Sequence, residues 1–219
     1  MNVLVIAPHA DDEVIGVGGT MARYAAEGHD VDLVVGALGT VHRRGAEVKA
    51  TAEIRRYELE TAARTLGVRN TRVLFEGFEN KLDTLPLLDL VARLDSVLDE
   101  GYDQVFFPCP SHHQDHRVVY DACFAALREG ARPNPPALIA MYEYSYNGWY
   151  PINVPSGRMF VDITAHMATK REALSLYRSQ LYPAPHPISL EAIEILAQMR
   201  GVECGRPHAE LFYLIKMVQ

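Results

Sequence analysis

Ala7-Pro8-His9-Ala10-Asp11-Asp12-Glu13 follows the apolar run Val3-Leu4-Val5-Ile6 and leads into Gly16-Val17-Gly18-Gly19-Thr20. A strand is therefore expected to run straight into a dense polar turn. One imidazole and three carboxylates so close together are costly to pack unless something uses the charges, and a divalent cation is the usual user. The plainer reading is a helix N-terminus with acids in its first turn, each favoured by the helix dipole by under about 1 kcal/mol. The glycines are expected to let the chain turn tightly before a helix over 17–27 that Gly28 stops. As a dinucleotide loop they fit poorly, because G-x-G-x-x-G needs glycine where Met21 stands.

Working outward, residues 31–38 (VDLVVGAL) read as a second strand, apolar on both faces as a covered parallel sheet requires. A polar loop with His42, Arg43 and Arg44 follows. A helix is expected over 47–66, with Ile54, Leu59, Ala62, Ala63 and Leu66 as its apolar face. On physical grounds alone Arg55, Arg56, Glu58 and Glu60 read as a solvated face with weak i,i+4 pairing. A third strand over 71–75, an irregular loop over 76–83 and an amphipathic helix over 85–98 come next. The fourth strand, 104–107, runs into Pro108-Cys109-Pro110-Ser111-His112-His113-Gln114-Asp115-His116, the second concentration of polar chemistry. A helix to about residue 128 opens from it.

Strands alternating with helices predict an α/β fold: one Rossmann-like domain over 1–219 with a doubly wound, mostly parallel sheet flanked by helices. In such sheets the strand order reverses beside the first strand, strands one and four become neighbours, and ligands bind at that switch point. His9-x-x-Asp12 and His113-x-x-His116 are then expected to face one crevice, which strengthens the case for a metal. Further on, strands are expected over 137–141, 158–163 and 211–217, and helices over 166–180 and 189–199. The aromatic run from Tyr142 to Tyr150, including Trp149, and the proline-stiffened loop around His186 form either a substrate wall or core filling.

Composition bounds the function. With 219 residues and 48% hydrophobic side chains the chain can bury a full core. A net charge of −7 (28 acids, 21 bases) argues against a general nucleic-acid or anionic-membrane partner and leaves a small molecule easy to accept. No apolar run approaches the length of a membrane span. The three cysteines are odd in number and form no CxxC pair, and the N-terminus has no basic leader, so a cytoplasmic location is expected. A homo-oligomer is left open.

The two motifs together resemble those of the LmbE/PIG-L family of zinc-dependent N-acetylglucosaminyl deacetylases. The family's H-P-D-D-E stands here as His9-Ala10-Asp11-Asp12-Glu13, with Gly18-Gly19-Thr20 behind it, and its H-x-D-H as His113-Gln114-Asp115-His116. Arg55-x-x-Glu58, Asp162-Ile163, Ser179-Gln180 and Ala209-Glu210-Leu211-Phe212 extend the similarity over nearly the whole chain. The resemblance implies one zinc ion per chain held by His9, Asp12 and His116, with Asp11 as general base for a metal-activated water. It implies that His113 polarises or protonates the amide and that Asp115 orients His113. It also implies a substrate contact by Arg55, and the aromatic and proline-rich segments add Trp149 and His186 to the expected substrate wall. Two departures stand out: Ala10 replaces proline, and His112 beside His113 offers an alternative acid. The expected activity is hydrolysis of an N-acetyl group on an amino sugar or its conjugate. A nucleotide or sugar-phosphate binding module built on Gly16 to Thr20, or an amidase for a different conjugate, are the alternatives.

Overall fold

The computed structural model describes residues 1–42, 47–145 and 153–218. Seven strands form one sheet in the order β5-β2-β1-β6-β7-β9-β8. These are β1 (Asn2–Ala7), β2 (Asp30–Leu38), β5 (Asn70–Glu76), β6 (Gln104–Pro108), β7 (Leu138–Tyr142), β8 (Arg158–Asp162) and β9 (Ala209–Met217). β5, β2, β1, β6 and β7 run parallel, while β9 lies antiparallel between β7 and β8. Strands from both ends of the chain thus share one sheet. β1 pairs with β2 on one side and β6 on the other, so the strand order reverses at β1, as expected.

The pleat of β1 explains why its run is apolar throughout. Val3, Val5 and Ala7 face one core and Leu4 and Ile6 the other. The first core is covered by α1 (Asp12–Ala26), α2 (Ala52–Thr65), α5 (Met167–Ser175) and α6 (Leu190–Cys204). The second is covered by α3 (Leu87–Leu98) and α4 (Gln114–Ala126). A two-stranded ribbon of β3 (Val41–His42) and β4 (Val48–Ala50) stands apart from the sheet.

Three expectations change. Helix α1 begins at Asp12, so Gly16, Gly18 and Gly19 lie inside it and turn nothing. Gly16 and Gly19 instead allow α1 to pack closely: a Cβ on Gly16 would sit 2.1 Å from the Tyr142 ring of β7, and one on Gly19 2.6 Å from Ile163, just after β8. Helix α2 starts five residues later than expected because Thr51 caps it, its Oγ1 accepting the Ile54 N–H at 3.3 Å, while 48–50 pairs with β3 instead. Helix α5 stops at Ser175, which frees the segment after it to line the site.

Candidate metal centre

β1 ends at Ala7 and β6 at Pro108, side by side, so the polar residues that follow them meet. His9 and Asp12 come from the first turn, and His116 from the start of α4. His9 Nδ1 lies 3.4 Å from Asp12 Oδ2, His116 Nε2 lies 3.2 Å from the same oxygen, and the two ring nitrogens are 3.3 Å apart. This near-equilateral triangle has the right size for a metal. A tetrahedral zinc with bonds of 2.0–2.1 Å holds its ligands roughly 3.3–3.4 Å apart.

The outward-facing atoms of the same residues are also engaged. His9 Nε2 lies 2.8 Å from Asp115 Oδ2, and His116 Nδ1 lies 2.9 Å from Ser111 Oγ. With those two nitrogens donating, the lone pairs of His9 Nδ1 and His116 Nε2 point into the triangle, the arrangement that fixes metal-binding histidines. The electrostatics agree. Burial opposes a charge on His9, yet the hydrogen bonds to Asp115 and Asp12 raise its pKa to about 10. Asp12 is held far below the usual carboxylate range, against its burial, by His116 and His9. Burial lowers the pKa of His116, so the triangle favours a single positive charge, carried by His9, and a divalent ion would displace that proton.

Asp11 lies beside this triangle in a strained backbone conformation, φ 124 and ψ −30. Such a conformation costs a non-glycine residue about 1–3 kcal/mol. Burial, and then the neighbouring Asp12 charge, push the Asp11 carboxyl well above its ordinary pKa, with Arg55 opposing them. A carboxyl so placed is suited to taking up a proton. His113 caps α4: its Nδ1 accepts the Asp115 N–H at 3.2 Å, which leaves the proton on Nε2, 2.9 Å from Asn80 Oδ1. Burial, then the charges of His9 and His116, lower its pKa to about 4, so it is a neutral donor. One nitrogen each of His9, His113 and His116 falls within 4.8 Å of the others, a looser set than the triangle containing Asp12.

His9, Asp11, Asp12, His113 and His116 open into one cavity of about 380 Å³, within the usual range for small-molecule sites. Arg55 and His186 line it, as does His112, which is exposed at its edge. Arg55 does not lie on a solvated face. It is 1% exposed, its Nη2 donates to Glu79 Oε1 at 2.6 Å, and its buried Nη1 has no partner among the described residues. Glu58 is likewise buried, its carboxylate accepting the Ser179 N–H and hydroxyl. Asp115 meets His113 through its backbone N–H and not through its side chain, whose carboxylate accepts from His9 and from the Leu82 N–H at 3.0 Å. Trp149 lies outside the described residues.

Tyr144, from the aromatic run singled out in the sequence, stacks its ring on His116 at 4.7 Å between centroids, whereas sequence reasoning missed Glu79, Asn80 and Ser111. The one available signal was Ser111 inside the second polar cluster. Glu79 and Asn80 sit in an irregular loop that carries no periodicity.

Residues 4–127, more than half of the chain, match the model of the family described as PIG-L: GlcNAc-PI de-N-acetylase. The chain belongs to this family. Among similar members is Probable N-acetyl-alpha-D-glucosaminyl L-malate deacetylase 2 of Bacillus cereus, 30% identical over 149 residues, which are 64% of this chain and 67% of that one. Another is 1D-myo-inositol 2-acetamido-2-deoxy-alpha-D-glucopyranoside deacetylase of a Nocardioides species, 41% identical over 58% of this chain, which spans 55% of its length. The N,N'-diacetylchitobiose deacetylase of Pyrococcus horikoshii shares the fold with a TM-score of 0.77 and 29% identity, covering 98% of this chain and 83% of that one. Membership thus joins this chain to a family whose relatives are named as deacetylases.

Proposed function

We propose that the protein is a metal-dependent N-deacetylase, a single-domain hydrolase that removes the acetyl group from an N-acetylglucosamine-type sugar or its conjugate. The observation that carries this reading is the donor triangle of His9, Asp12 and His116 with Asp11 beside it in one cavity. Zinc is the proposed ion, since two imidazoles and one carboxylate form a set that zinc accepts with a fourth position to spare. When bound, such an ion supplies Lewis acidity, acidifying water and polarising a carbonyl.

The chain's own residues complete the chemistry. Asp11 takes the proton of the attacking water, a contribution of roughly 10² to 10⁴ in rate for a positioned base. His113 Nε2–H, which rests on Asn80 Oδ1, turns toward the carbonyl oxygen as charge develops there, and Asp11 returns the proton it took from water to the departing amine. Arg55 lines the cavity with Asp11, and its guanidinium is the proposed contact for the sugar. His186, stacked on Tyr182 at 4.1 Å, forms the outer wall.

The relatives' names share a 2-acetamido sugar and differ in what is attached: malate, inositol or a second sugar. The acetamido sugar is therefore the proposed substrate core. The three thiols are free, which suits a reducing cytoplasm, and among the described residues no helix is long and apolar enough to cross a membrane. A phosphate-binding module on Gly16 to Thr20 is disfavoured, because the N–H groups of Gly19 and Thr20 each donate to the Glu210 carboxylate at 2.8 Å inside α1.

The test is acetate release from N-acetylhexosamines and from their malate, inositol and chito-oligosaccharide conjugates, before and after chelation and with zinc restored. Release from at least one, lost on chelation and regained with zinc, is expected. A protein shown by elemental analysis to hold its ion, yet releasing acetate from none, would falsify the proposal.

A further inference from the structure

The strained backbone of Asp11 is held from both sides. Its carbonyl accepts from Val14 N at 3.1 Å and Ile15 N at 3.0 Å, the opening bonds of α1. Its own N–H donates to Glu13 Oε2 at 3.0 Å, a carboxylate that folds back from two residues ahead. The other oxygen of Glu13 accepts the hydroxyl of Tyr177. Both Glu13 and Tyr177 are 0% exposed.

An acid in the first turn of a helix is favoured by the dipole and needs no function. That account does not explain why this one is sealed from water, why it turns toward the preceding residue, or why a buried tyrosine meets it. Tyr177 also stands at a telling place. It follows α5 and begins the stretch that supplies Gln180, His186, Pro187 and Ile188 to the cavity wall. Two residues on, Ser179 is tied to Glu58 of α2. The bond from Tyr177 to Glu13 thus connects the substrate wall to the backbone of Asp11.

We propose that Glu13 and Tyr177 are positioning residues for Asp11, clamping its backbone N–H so that its carboxylate is held in the cavity beside the donor triangle. The inference rests on Asp11 acting as the base. Neither residue touches the substrate; both act through the geometry of Asp11.

Glu13→Met keeps the approximate size of the side chain and removes both carboxylate acceptors. Tyr177→Phe keeps the ring and removes the hydroxyl. Each is expected to lower kcat on the order of 10- to 100-fold, as small misplacements of reacting groups do, with KM and metal stoichiometry near those of the parent. The deciding measurement repeats both substitutions in an Asp11→Asn background. If the clamp works through Asp11, the kcat effect disappears there, while any change in thermal midpoint persists. An unchanged kcat in the single variants, or an equal further fall in the Asp11→Asn background, overturns the inference. Full activity in Asp11→Asn alone would instead overturn the base assignment, and this inference with it.

Discussion

His9 Nε2 lies 2.8 Å from Asp115 Oδ2, so the carboxylate next to His116 in sequence braces the imidazole that follows β1. Asp115 Oδ1 is fixed in turn by the Leu82 N–H. Replacing Asp115 by Asn should therefore act on metal retention, weakening it by roughly 10- to 100-fold as loss of such a brace typically does. Competition with a graded series of chelators measures this. Were Asp115 to work through His113 instead, kcat would fall with the ion still tightly held.

Asp11 and Asp12, adjacent in sequence, should separate by role. Asp12 Oδ2 is one corner of the donor triangle, and Asp12→Ala should lose ion and activity together. Asp11→Ala should keep its ion while kcat falls by roughly 10² to 10⁴. Metal stoichiometry and kcat for both variants decide it. Ion loss in Asp11→Ala but not in Asp12→Ala would reverse the assignment.

The sheet was legible because its central strands are apolar on both faces, and two-sided burial is written directly into runs such as Val3 to Ile6 and Val31 to Val35. Its strand order at β1 then brought the two polar motifs together without any local signal. What stayed hidden depends on partners far along the chain. Gly16 is explained by Tyr142 on β7, and Arg55 by Glu79 in an irregular loop. Asp115 was assigned to its sequence neighbour His113, whereas the pairing of β1 with β6 delivers His9 to it.

Asp32 carries a dependence of stability on acid. Burial raises its pKa, but bonds from Arg69, Tyr102 and Asn70 outweigh this and hold it below the ordinary 3.8. A carboxylate with a depressed folded-state pKa contributes stability above its unfolded value, and that contribution fades as the pH falls through the lower one. Asp32→Asn should thus be less stable than the parent at pH 6, with the gap narrowing below pH 3.8. Urea midpoints at several pH values test it; a gap that widens in acid would contradict the account.

The glycines of α1 give a contrast in which propensity and packing oppose each other. Alanine is favoured over glycine in a helix interior by about 1 kcal/mol, so every Gly→Ala change in α1 starts with a gain. At Gly18 the nearest atom to a new Cβ is Val14 Cγ1 at 3.1 Å, and a slight shift of that side chain accommodates it. Gly18→Ala should be close to neutral. At Gly16 the Cβ would lie 2.1 Å from Tyr142 Cδ2, and that ring cannot swing away freely because it is wholly buried and its hydroxyl donates to the Ile6 carbonyl at 2.9 Å. The helix must move instead, at an overpacking cost of roughly 1–3 kcal/mol or more that exceeds the gain in propensity. Because α1 carries Asp12 at its first position, Gly16→Ala should also weaken metal retention, which Gly18→Ala should leave intact. Equal urea midpoints and equal metal affinities in the two variants would show that the approach of α1 to Tyr142 is not what Gly16 provides.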